Sequence, residues 1–178
     1  MPLLAQRLIE RFKMERIPQE GAWFAPTHRS AETVTLIDGD APRYEGPRAA
    51  WSAIYCVQTR EDFSALHRLQ TDELWHFYDG APLELLLLHP DGRGETATLG
   101  RDVAMGEHPQ FLVPRGVWQG ARPIGGEHAW TFLGNTLAPG FEDADFEIGY
   151  RDELTARYPA FAPKIAELTR SDHVRRPA

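Results

Sequence analysis

Between residues 22 and 137 no helical period survives. Short runs rich in branched and aromatic residues follow one another, cut by Gly, Pro and Asp: TVTLI (33–37), WSAIYCV (51–57), FSALHRL (63–69), ELWHFYD (73–79), PLELLLLH (82–89), ETATL (95–99), QFLVP (110–114), VWQGA (117–121) and HAWTFLGNTL (128–137). Many short strands joined by tight turns specify an all-β sandwich or barrel and rule against a parallel α/β sheet, which needs helices between its strands. HPDGRGE (89–95) is a hairpin turn, because Asp-Gly tolerates the positive φ such a turn demands. Helical pattern is confined to the ends. Residues 2–16 put Leu4, Leu8, Ile9 and Phe12 on one stripe, with Arg7, Glu10 and Arg11 facing away, until Pro18 and Gly21 break the period. RDELTARY (151–158) and PAFAPKIAELT (160–170) read as short helices after an ordered loop, APGFEDADFEIG (138–149), and SDHVRRPA (171–178) is expected to fray. With 178 residues, no linker and no repeat, the expectation is one domain over 1–178, with its barrel at about 22–137 and a helical extension over about 138–170.

Charge and composition remove several classes. A formal net charge of −7 with scattered basic residues argues against a nucleic-acid partner. No apolar run approaches the ~20 residues that cross a bilayer, and the charged start lacks a secretory cleavage pattern. Cys56, the single cysteine, allows no internal disulfide and fits a reducing, cytoplasmic setting; within AIYCV it reads as buried and structural.

Chemistry-bearing residues concentrate in LHRLQTDELWHFYDG (66–80). Period-2 alternation puts His67 on a face with Ala65 and Leu69, and Glu73 on a face with Trp75 and Phe77, while Leu74, His76 and Tyr78 point the other way. If Trp75 and Phe77 fill a barrel, Glu73 is inside with them, and His67 is expected to meet it across the strand pair. His76 then faces outward unless a bulge re-aims it. Farther on, VPRGVWQGA supplies a Pro-x-Gly turn followed by Gln119.

These residues resemble the cupin barrel. Its first motif is approximately H-x-H, three or four residues, E, six residues, G; here stand His67-x-Leu69, three residues, Glu73, six residues and Gly80. Its second, P-x-G, two residues, H, corresponds to Pro114-x-Gly116, two residues and Gln119. A fuller resemblance is to the cupin family catalogued as domain of unknown function 985, carried by EGAWF (20–24), HRS (28–30), AIY (53–55), LHRLQTDELWHFYDGAPLELLLL (66–88), VPRGVWQGAR (113–122) and LAPGFEDADFEIG (137–149). Where that family shows His-Pro-Glu-Gly-Gly, this chain has Pro18-Gln19-Glu20-Gly21-Ala22. The resemblance implies a cupin, or double-stranded β-helix (jelly-roll), barrel with one N-terminal helix and short C-terminal helices, and a homodimer.

Three functional expectations follow. The first is a pocket inside the barrel for a small molecule, sugar-like or carboxylate-bearing, lined by Trp75, Phe77, Trp118 and Gln119, with Arg29 or Arg122 to attract an anionic group; Phe77 on its own reads as core. The second is a metal-independent isomerase or epimerase of a sugar derivative, in which His67 is the base, Glu73 orients it and Tyr55 or Tyr78 is the acid, as cupin-fold epimerases imply. The third is a metal-dependent cupin enzyme. A metal is not favoured, because Leu69 and Gln119 occupy two of the usual ligand positions; any metal would fall to His67, Glu73, His76 and Gln119. Asp143, Asp145 and Glu147 read as a solvated acidic turn, and His28, His89, His108 and His128 as surface or turn residues.

Overall fold

The structure is a computed structural model that describes residues 1–173. Helix α1 (Leu3–Phe12) ends where Lys13 turns left-handed, φ 50°, and Met14 N–H closes back on the Ile9 carbonyl at 2.9 Å. Ten longer strands follow: β1 (Trp23–Arg29), β2 (Ser52–Thr59), β3 (Ser64–Leu69), β4 (Asp72–Gly80), β5 (Leu83–Leu88), β6 (Gly94–Leu99), β7 (Gln110–Val113), β8 (Trp118–Pro123), β9 (Trp130–Ala138) and β10 (Phe146–Ile148). Helices α2 (Arg151–Arg157) and α3 (Ala162–Glu167) close the described chain. Among the described residues no helix is long and apolar enough to cross a membrane.

All pairings among these strands are antiparallel and fall into two sheets. One has the order β1-β2-β9-β4-β7, with Glu15–Arg16 added outside β1; the other has the order β6-β5-β8-β3-β10. Two facing antiparallel sheets built from long-range pairings are a jelly roll, which resolves most strand edges by near closure. β5 and β6 form the expected hairpin, with Gly92 at φ 93° in its turn.

The run LELLLL shows why the sheets pack as they do. Leu83, Leu85 and Leu87 point into the barrel beside Cys56, Trp75, Leu99 and Leu133. Leu86 and Leu88 point outward and are covered by Leu154, Tyr158, Ile165 and Leu168 of the C-terminal helical segment. A strand buried on both faces reads as a continuous apolar run rather than an alternation. The other sheet is covered on its outer face by α1, whose Phe12 lies 4.9 Å from the Tyr55 ring and 6.0 Å from that of Phe132.

Some elements differ from the sequence reading. β1 is a full strand that its pattern hides, because Pro26 and Thr27 interrupt the apolar alternation; Pro26 sits beside a register shift in the β1–β2 pair. The 138–149 stretch, expected as loop, contributes β10, which pairs with β3. TVTLI yields only the two-residue pairings of Thr33–Val34 with Arg48–Ala49 and Ile37–Asp38 with Ala41–Pro42. Fraying does not start at Ser171: His173 is buried and its carbonyl accepts the Arg151 N–H at 2.8 Å. The rest of that expectation, at 174–178, lies outside the described residues.

Candidate functional site

One end of the barrel is filled by the cluster around Trp75, and the other holds a cavity of about 500 Å³. Strand ends converge there: Phe24, Pro26, His28 and Arg29 from β1, Ser52 and Ile54 from β2, His67 and Leu69 from β3, Glu73 from β4, Leu137 from β9 and Phe146 from β10. The loop Ile17–Glu20 and the residues Phe141 and Asp143 complete the wall. His67 and Glu73 are buried at its floor, 3% and 6% exposed, whereas Pro18, Gln19, His28, Arg29 and Asp143 are exposed at its rim.

A bulge in β3 aims the floor. His67 pairs with Gln119 and Ser64 with Ala121, so Ala65 and Leu66 together oppose the single residue Gly120. Ser64 and His67, three apart, therefore both face inward, and Ala65 joins the outer cluster instead of sharing His67's face. Ser64 Oγ donates to Glu20 Oε1 at 2.6 Å. Glu20 is held by its own loop, where Ile17 N–H meets the Ala22 carbonyl at 2.8 Å and Arg170 Nε donates to the Glu20 carbonyl at 3.1 Å. Gly21 allows this: its φ is 104°, and the Arg170 guanidinium occupies the space a Cβ would need.

The polar network across the floor has a defined direction. The Trp75 indole N–H donates to Gln119 Oε1 at 2.9 Å, which leaves the Gln119 amide nitrogen as donor. That nitrogen donates to Glu73 Oε2 and approaches His67 Nε2 at 3.3 Å. On the far side of the ring, His67 Nδ1 lies 2.8 Å from the Ala65 carbonyl, an acceptor only, so Nδ1 carries the proton and Nε2 presents its lone pair to Gln119. Burial pushes the Glu73 carboxyl up to about 7; the neighbouring His67 opposes the rise, Glu20 adds to it, and the Gln119 and Trp75 donors oppose it. The Cys56 thiol, in the same interior, is pushed up by burial first and then by Glu20 and Glu73, so it stays protonated.

His67 and Glu73 are brought together, but not across a strand pair. β3 and β4 belong to opposite sheets and face one another through the barrel, with Gln119 between their side chains. Arg29 is at the rim, donating to the Phe141 carbonyl at 2.8 Å and pairing with Glu142. Gln119 and Trp75 stand behind the floor rather than on the cavity wall, and Phe77 packs against the Trp75 cluster. Trp118 is corrected: it lies on the outer face of its sheet among Leu66, Leu86 and Tyr158, with Arg68 stacked 4.6 Å above it, because neighbours on one strand cannot both face in and Gln119 does. Tyr55 and Tyr78 are also on an outer face, 5.9 Å apart and packed around Phe132, out of reach of the cavity. Arg122 donates to the Arg60 carbonyl and stacks on Phe63, away from the site. His76 faces outward, bonded to Thr136 Oγ1 and to Gln110 Nε2, both at 3.0 Å.

Sequence reasoning missed Glu20, Phe24, His28, Asp143 and Phe146 as wall residues. Glu20 lies in a loop that has no period to read, and Phe146 comes from a strand hidden in an acidic turn. His28 and Asp143 do lie at the surface, but that surface is the rim.

The donor set does not fit a cupin metal. Gln119 directs N–H groups, not its oxygen, toward Glu73 and His67, and a metal needs lone pairs there. His76 is on the other face, Leu69 offers no donor, and among the described residues no three His, Cys, Asp or Glu side chains converge as a metal site.

A jelly roll with a cavity at one end, motif residues His67 and Glu73 on its floor and Gln119 directly behind them defines a cupin-type barrel. The chain belongs to the cupin superfamily family DUF985, whose pattern matches residues 6–149. It is similar to the solved structures of protein SO0799 from Shewanella oneidensis, 33% identical, TM-score 0.80, covering 93% of this chain and 97% of that one, and of a hypothetical protein from Leishmania major, 30% identical, TM-score 0.80, covering 93% and 98%. It is also 26% identical over 175 residues to the uncharacterized protein YML079W of Saccharomyces cerevisiae, covering 94% of this chain and 85% of that one.

Proposed function

We propose that the barrel cavity binds a small organic molecule with an apolar body and hydrogen-bond donors at its head. The carrying observation is the roughly 500 Å³ cavity with Glu73 and His67 buried at its floor. Apolar walls with a few convergent polar groups are the usual build of such a site. The floor selects donors: the N–H groups of Trp75 and Gln119, the Ser64 hydroxyl and the His67 Nδ1–H are already directed at protein acceptors. A carboxylate-bearing ligand would have to enter tail first, with its charge near Arg29 at the rim. A thermal-shift screen of small metabolites tests the reading, because a ligand raises the melting temperature by mass action. The shift should disappear in Ile54→Trp, which fills the cavity from its half-buried wall; a shift that persists there places the ligand elsewhere.

The second reading is metal-independent proton transfer, as in an isomerase, and the titrating group that favours it is Glu73 rather than His67. Glu73 exchanges its proton near neutral pH, which suits a general acid–base, whereas the His67 lone pair faces Gln119 and no tyrosine reaches the cavity. Solvent deuterium should then enter a keto-sugar substrate and fail to enter with Glu73→Gln. Incorporation that survives this substitution but not His67→Ala would return the role to the histidine.

A further inference from the structure

Two buried carboxylates, Glu20 and Glu73, line the cavity, and among the described residues no cation stands within salt-bridge reach of either. Glu20 is 8% exposed and Glu73 is 6% exposed, both line the same cavity, and the charge of Glu20 adds to the rise that burial imposes on Glu73. Among the described residues neither carboxylate makes a direct ion pair: Arg170 bonds the Glu20 carbonyl and attracts its carboxylate only from beyond salt-bridge distance, and Arg29 is paired with Glu142. His67, the one basic side chain on the floor, presents a lone pair. A buried carboxylate without a counter-charge either takes up a proton or waits for a cation.

A second observation points to a ligand from another strand. Asn135 Nδ2 is buried without a hydrogen-bond partner, on a residue only 3% exposed. On β9 it shares the inward face with Leu137, a cavity wall, and it stands in register with Ile54, another wall, and with Trp75 beneath the floor. A free donor in that layer calls for an oxygen acceptor, from water or from the ligand.

We propose that the cavity takes a small molecule with a protonated amine, its ammonium seated between Glu20 and Glu73 and its apolar body against Phe24, Leu69, Leu137 and Phe146. An oxygen next to the amine is the kind of acceptor that Asn135, one layer behind the wall, lacks, so an amino alcohol is tested beside a simple amine. The ammonium supplies a counter-charge in direct contact and the donors, and charge-assisted bonds to a buried carboxylate are the strong kind. The inference rests on the pocket reading above and adds the ligand's chemical class.

Binding of 2-phenylethylamine, 2-amino-1-phenylethanol and the neutral 2-phenylethanol, measured by calorimetry on the full chain at pH 8, tests it. Both amines should bind at least about tenfold more tightly than the alcohol. Glu20→Gln, which keeps an oxygen for Ser64, and Glu73→Gln, which keeps one for Gln119, should each bring the amines down to the level of the alcohol; unchanged circular dichroism shows that the variants are folded. Amine affinity should also fall between pH 8 and pH 6, because the cation has to displace the proton of a carboxyl faced by Glu20, His67, Gln119 and Cys56. Equal binding of amine and alcohol, a preference that survives both substitutions, or no binding of either amine overturns the inference. If amine and alcohol bind equally and Ile54→Trp blocks both, the pocket stands and only the charge assignment falls; binding that Ile54→Trp leaves intact removes the pocket as well.

Discussion

The two ends of the barrel interior are built from the same strands and do opposite things. At the filled end Leu85, Leu87, Leu99, Leu133 and Trp75 close on one another and exclude water. At the cavity end the continuing faces of β3, β4 and β9 present His67, Glu73 and Leu137 to open space. The difference is one of polarity as much as volume. Leucines can collapse onto a neighbour, whereas a carboxylate at the same depth must keep a donor, a proton or a counter-charge. Gln119 is where the ends meet: it takes the Trp75 N–H on one side and faces Glu73 and His67 on the other. The filled end thereby orients the floor of the cavity end.

Substitutions should separate the two ends. Leu85→Ala, at a side chain with no exposed surface, removes packing atoms that cannot be replaced by collapse, and chemical denaturation should show a loss of about 2–5 kcal/mol. Cavity ligands should bind the folded Leu85→Ala protein as before; lost binding would mean that the ends are mechanically coupled. Glu73→Gln should act through pH. In the native protein the carboxyl ionises at about 7 against an ordinary 4.5, so between those values the unfolded state sheds its proton first. Stability contributed at low pH is then lost as pH rises across that window, by about 3 kcal/mol. The glutamine variant should lack this decline and be the more stable protein at pH 8, with the two similar near pH 4; a parallel pH profile would show that Glu73 is not buried as a charge. The smallest effect belongs to the rim. Arg29→Ala breaks a half-exposed pair with Glu142, and its melting temperature should report a loss below about 1 kcal/mol with no change in pH profile.

Much of the architecture is legible along the chain because strand residues advertise themselves locally. Nine apolar runs and their turn residues marked the strand-rich region, and alternation correctly sent His76 away from Glu73. It failed where geometry departs from simple alternation. The β3 bulge put Ser64, not Ala65, on the inner face, and nothing in FSALHRL signals an extra residue. Placing both Trp118 and Gln119 in the pocket violated the same alternation that had worked for ELWHFYD. Tyr55 was legible as well: with Cys56 buried inside, its neighbour has to face out.

Sequence alone determined the class of fold and the identity of the two floor residues, His67 and Glu73, because pattern and motif spacing are local properties of a strand. Tertiary structure alone decided what those residues face. Glu20 arrives from a loop more than forty residues away from Ser64 and Glu73 in the chain, Gln119 turns its amide by a bond to Trp75, and Phe146 stacks on His67 at 5.4 Å from a strand concealed in an acidic turn. Such contacts are set by which strands become neighbours across two sheets, and no period within a single segment carries that information.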